Sequence, residues 1–175
     1  MVMPLRRKAA FACLAILFVP VLSSCGFDYA TNREYTPSVG ANNRDGQVDV
    51  LNAVIVAPED GSGVFIASLS NNSVTEDASF DEISSEAGLT FEGLTPIALA
   101  PSGFVNLADP ASETVIAATG EFALGDFVPV TLTFGNGEAI SLKVPVVGNC
   151  GVFAEIPGLP AGAERCLEEP TEETH

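Results

Sequence analysis

A chain of 175 residues that is 47% hydrophobic, 17% charged and 7% aromatic can bury the core of one ordinary domain, which excludes disorder throughout. Seven basic residues stand against 23 acidic ones, a formal net charge of -16, and a surface that acidic repels phosphates, which excludes a nucleic-acid partner. One His, two Met and no Trp leave almost no imidazole or thioether for catalysis or for soft metals.

At the start of the chain, Arg6, Arg7 and Lys8 precede the apolar run Ala9 to Val21. This run has the length of a signal-peptide core and falls short of the roughly 20 apolar residues that a membrane helix needs. It ends in Leu22-Ser23-Ser24-Cys25, which resembles the bacterial lipobox: an aliphatic residue, two small residues and a cysteine. The resemblance implies that residues 1–24 are removed and that Cys25 carries a diacylglyceryl group. The alternative is an ordinary secretory cleavage site beside a stray cysteine. Two or more acyl chains, at about 0.8 kcal/mol per buried methylene, hold a protein stably on a membrane where one chain is marginal. The expected location is therefore the extracytoplasmic face of the cell membrane, with membrane lipid as the first partner. Loss of residues 1–24 takes away three basic groups and no carboxylate, leaving 4 basic against 23 acidic residues, formally -19. Residues 25–46, rich in Asn, Gly, Thr and Ser and without a sustained apolar period, read as a flexible spacer behind the lipidated Cys25.

From Gln47 onward, short β-branched runs alternate with Gly, Pro, Asn and Asp clusters, and no stretch keeps a helical period for ten residues. Strands are expected at Val48–Ala57, Val64–Ser70, Phe80–Ile83, Leu89–Glu92, Ile97–Ala100, Phe104–Leu107 and Thr114–Ala118. Val128, Val130, Leu132 and Phe134 then alternate with polar residues, as do Ile140, Leu142, Val144 and Val146 beyond Gly135-Asn136-Gly137, the pattern of a β-hairpin. Pro129 and Pro145 cannot donate a ladder hydrogen bond, so each belongs at an edge, a bulge or a strand end. The whole predicts an all-β fold for residues 47–149, an immunoglobulin-like or cupredoxin-like antiparallel β-sandwich of about seven strands.

The segment Leu124 to Phe134, continuing to Val144-Pro145-Val146, resembles the terminal hairpin of periplasmic copper chaperones of the PCuAC type, with its Gly-Asp, Val-Pro and Thr-Leu-Thr-Phe pieces. Ser68-Leu69-Ser70-Asn71 and Pro101-Ser102-Gly103 are similar to two further elements of that family. The layout, a lipobox and a polar spacer before such a domain, is similar to LpqE-type lipoproteins of actinobacteria. The resemblance implies the β-sandwich but not the copper site. That family holds Cu(I) with Met and His, whereas Met1 and Met3 fall in the removed segment, about Ala67 stands where a Met is expected, and the lone His175 is terminal. No metal site and no cofactor are expected on this basis.

Residues 150–175 read as an extension bridged by Cys150 and Cys166, closing in an acidic tail. Exported thiols are oxidised, and a disulfide is favoured over a two-thiolate Cu(I) or Zn(II) site, which lacks a third ligand nearby and the C-x-x-C spacing. Glu76-Asp77, Asp81-Glu82 and Glu86 form an acidic patch of the kind usually found in solvated loops. Asn43, Asp45 and Gly46 match part of a calcium loop, but Ala41 and Asn52 occupy the positions of its first and twelfth ligands. No G-x-S-x-G, H-E-x-x-H or phosphate loop is present, so the chain reads as a non-enzymatic binding or interaction module of the cell envelope. An envelope protein is its candidate partner, the small-molecule ligand is unassigned, and metal handling related to the copper chaperones is the alternative.

Overall fold

Runs of Val, Ile and Phe broken by Gly, Pro and Asn suit a pleated, half-buried surface, and they form strands here. The computed structural model describes residues 39–112, 114–159 and 165–166; the expectations for residues 1–24, for Cys25 and for the tail beyond Cys166 lie outside them. The described residues form ten strands: β1 (Ala41–Asn43), β2 (Val48–Glu59), β3 (Ser62–Asn71), β4 (Ala78–Ser84), β5 (Thr90–Glu92), β6 (Ile97–Leu99), β7 (Phe104–Asn106), β8 (Ile116–Thr119), β9 (Phe127–Phe134) and β10 (Ala139–Gly148). A single 3-10 turn, Gly151–Phe153, follows. Every run expected to be a strand is one, and β1 adds a strand inside the stretch read as spacer.

The strands follow the order β5-β8-β3-β2-β10-β9-β4-β6, with β1 also on β2 and β7 also on β3. All pairs are antiparallel except β2 with β10. The sheet curls over a core that takes side chains from both of its halves, among them Ile55, Phe65, Leu69, Phe80, Leu132, Phe134 and Val144. Phe80 and Phe134 stack at a tilt with centroids 5.8 Å apart, and Phe65 meets Phe91 edge-on at 6.3 Å.

Strand β10 serves both halves of the sheet. Its residues Ala139 to Pro145 pair with β9, and Val146 to Gly148 turn to run parallel to β2. Pro145 sits at the changeover, where a missing N–H disturbs neither ladder's interior. Pro129 lies opposite Lys143, beyond the last paired residue of β4, Ser84 opposite Thr131. Pro129 thus lies on the edge of β9 that β4 leaves unpaired, and Pro145 at a junction. The β9–β10 turn closes as a three-residue loop, with Gly137 at φ 84 and its N–H donating to the Phe134 carbonyl at 2.9 Å.

Strand β2 hides an irregularity. Leu51 faces Ser68 and Val54 faces Ile66, so β2 spends one more residue than β3 between the two pairs. The extra residue is Asn52, at φ 54, a left-handed conformation that Asn tolerates better than most residues. Before this bulge Val48 and Val50 face the main core; after it the inward set is Ala53, Ile55 and Ala57. The Asn42 side-chain oxygen accepts the Asn52 N–H at 2.8 Å, and the Asn52 side chain in turn accepts from Gly40 N–H at 3.3 Å. That exchange explains why β1 joins the sheet.

The bulge also turns Val54 and Val56 to the outer face, beside Val64 and Ile66 of β3. These side chains are buried as well, under Ile156 with Phe153, Leu159, Val115 and Val147. Residues 151–159 therefore act as a cover over the outer face of β2 and β3. Burying a Val or Ile side chain contributes about 1.5–3 kcal/mol, so the cover forms a second, smaller core of its own.

Candidate functional site

The PCuAC resemblance expects a methionine at about Ala67, in the middle of β3. Its methyl group belongs to the main core, and its carbonyl accepts the Leu107 N–H at 2.9 Å. The residues around it are Leu69, Leu107 and the β7 strand paired to β3, where Ser68 bonds Asn106 at 3.4 Å. This surrounding is apolar with hydroxyl and amide groups at its rim, which supplies no soft donor for Cu(I). Both methionines and His175 lie outside the described residues. The residues present here do not fit a Met/His copper centre.

The carboxylates do not converge either. Among the described residues, no group of three or more His, Cys, Asp or Glu side chains is placed to hold a metal ion. Asp81 and Glu82 are exposed on β4, and the Glu76 and Ala87 N–H groups are taken up by the hydroxyls of Ser73 and Ser85. Asn43 and Asp45 bond each other across two residues, at 3.1 and 3.3 Å, as a local turn.

The most concentrated polar arrangement is at the end of β3, around Asn71, which is only 2% exposed. Its Nδ2 donates to the carbonyls of Glu76, Leu99 and Ala100 at 2.8, 3.1 and 3.1 Å. Its Oδ1 accepts from Ser73 N–H at 3.0 Å and from Gln47 Nε2 at 3.3 Å. Gln47 then reaches the hairpin turn: its N–H donates to a Glu138 carboxylate oxygen at 3.1 Å, and its side-chain oxygen accepts from Asn136 at 3.1 Å. One buried amide thus ties β2, β3, β6 and the β9–β10 turn together. Its role is architectural. The sequence singled out Asn71 only as the end of a family-like strand, without its bonding.

Cys150 and Cys166 are brought to the same end of β10. No disulfide joins the two in this structure: Cys150, half-buried, follows Asn149, and Cys166, exposed, follows Arg165. The Asn149 side-chain oxygen accepts the Arg165 N–H at 2.9 Å, and Asn149 itself is buried. Asn149 and Arg165 escaped the sequence reading, although Arg165 is the single basic residue after Lys143 and stands beside a cysteine. The lipidation site expected at Cys25 lies outside the described residues.

No family model and no curated protein matches the chain. Among solved structures it is similar to the apo PCuAC domain from PmoF1, at 20% identity and TM-score 0.50, covering 61% of this chain and 98% of that one. It is likewise similar to the apo PmoF2 PCuAC domain, at 14% identity and TM-score 0.51, covering 63% of this chain and 97% of that one. At these identities the likeness is one of fold. The described part of the chain has the β-sandwich-like fold of PCuAC domains, built on a core whose Ala67 is not a metal ligand.

Proposed function

We propose that this chain is a non-enzymatic binding module of the cell envelope, built on a copper-chaperone-like scaffold and held at the extracytoplasmic face of the membrane through acylated Cys25. The fold likeness to PCuAC domains carries the scaffold half of this reading. The order of charged start, apolar run and Leu22-Ser23-Ser24-Cys25 supports the anchor half. Four basic against 23 acidic groups in the chain from Cys25 onward repel an anionic lipid surface, so attachment falls to the acyl chains.

A second reading, handling of copper or another metal ion, is favoured by the same fold likeness. Any such activity would have to use donors other than the Met/His set, because about Ala67 stands where the resemblance expects a methionine and the one His is His175. Calorimetric titration of Cu(I), Zn(II) and Ca(II) into the chain from residue 25 with Cys25→Ser separates the readings. The module reading expects no submicromolar site for any of the three. A stoichiometric, submicromolar Cu(I) site would transfer the function to metal handling and would direct the search for ligands to Cys150, Cys166 and the carboxylates.

A further inference from the structure

Arg165 is fitted to the end of β10 and to the β2–β3 turn by three of its groups. The first is the bond from Arg165 N–H to the buried Asn149 side chain, at 2.9 Å. The second is Gly148: a Cβ there would come within 1.7 Å of the Arg165 carbonyl oxygen, so only glycine lets the returning backbone lie against β10. The third is the Arg165 guanidinium, which meets the Asp60 carboxylate at 2.9 Å in the β2–β3 turn. Each cysteine is the next residue after one partner of the first bond: Cys150 after Asn149, and Cys166 after Arg165. Between them the chain makes the 3-10 turn and lays Phe153, Ile156 and Leu159 over the outer face of β2 and β3.

We propose that Cys150 and Cys166 are a modification site: they close a disulfide that staples this cover onto the sheet. In that step both S–H bonds break and one S–S bond forms. The two electrons and, in net, the two protons pass by thiol–disulfide exchange to an exported disulfide-bearing oxidase, whose own S–S bond breaks to give the dithiol. The cover buries Val54, Val56, Val64 and Ile66, and the segment that carries it returns to the sheet at residue 165, where an exposed ion pair is worth little by itself. A covalent closure at that point limits how far the cover can lift. The staple and a two-thiolate metal site exclude each other, so the bond is judged separately from the metal titration above.

The test uses the full processed chain, oxidised with glutathione disulfide or reduced with a phosphine, then unfolded and alkylated for intact-mass measurement. The oxidised chain is expected to be lighter by two hydrogens, to take no alkyl group at either cysteine, and to yield one linked peptide containing Cys150 and Cys166. Reduction should lower the thermal midpoint by several degrees and open residues 154–159 to protease, while the sandwich stays folded. The Cys150→Ser, Cys166→Ser double variant should match the reduced chain and lose all redox dependence, and Cys166→Ser alone should do the same if the double variant expresses poorly. Alkylation of both cysteines after oxidation, a bond formed between two chains, or a linked chain whose midpoint and protease pattern do not respond to reduction would each overturn the staple.

Discussion

Asn71 saturates three carbonyls and accepts two donors from a site with almost no water access. Leaving buried partners unsatisfied costs about 1–3 kcal/mol. Asn71→Ala should therefore lower the unfolding free energy by about 3 kcal/mol in urea titration, and Asn71→Asp by at least as much, since it sets a carboxylate against three carbonyl oxygens. A loss below 1 kcal/mol for either would show that the amide is not the tie described here. Asn52 does a different job, holding a left-handed backbone at the β2 bulge. Asn52→Gly keeps the backbone angle and loses only the exposed side-chain bond to Gly40, so it should cost about 1 kcal/mol or less, whereas a β-branched replacement such as Asn52→Val should cost about 1–3 kcal/mol more, again read from denaturant midpoints. The bulge was legible in principle. In Val48 to Ala57 the inward parity shifts from even to odd positions, but the run is so apolar on both sides of the shift that simple alternation masks it.

At the scale of elements, the unbroken runs Val54-Ile55-Val56-Ala57 and Val64-Phe65-Ile66-Ala67 have one physical cause: both faces of β2 and β3 are covered. The inner cover is the rest of the sheet and the outer cover is residues 151–159. Reading residues 150–175 as an extension separate from the domain missed this, because Phe153, Ile156 and Leu159 are too sparse to show any period. Ile66→Ala should cost about 2–5 kcal/mol although Ile66 points away from the main core. Ile156→Ala, in the covering segment, should fall at the lower end of that range, and a change near zero would mean that the segment does not bury the sheet. The β9–β10 hairpin, by contrast, was fully legible. Its alternation, its Gly-Asn-Gly turn and its register all follow from one-sided burial. What alternation could not disclose was the fate of β10 after Pro145, where the strand leaves an antiparallel neighbour for a parallel one, since that pairing depends on residues almost a hundred positions away.

For the whole molecule, the sandwich was legible from strand spacing, and its likeness to PCuAC domains was legible from the late hairpin. The site was not legible to the same degree. A copper centre is carried by a few soft side chains, and a core built on Ala67, Leu69 and Leu107 needs none of them. A scaffold can persist while its ligands are replaced, because packing asks only for volume and apolarity at those places. In the reading proposed above, function at this scale depends on where the module is held. The proposed lipid anchor at Cys25 is read out by the intact mass of the protein recovered from the membrane fraction. Expected is a chain that begins at Cys25 and is heavier than its sequence by a diacylglyceryl group, with Cys25→Ser moving the protein out of that fraction. An unacylated chain, or a Cys25→Ser variant that stays with the membrane, would contradict the anchor.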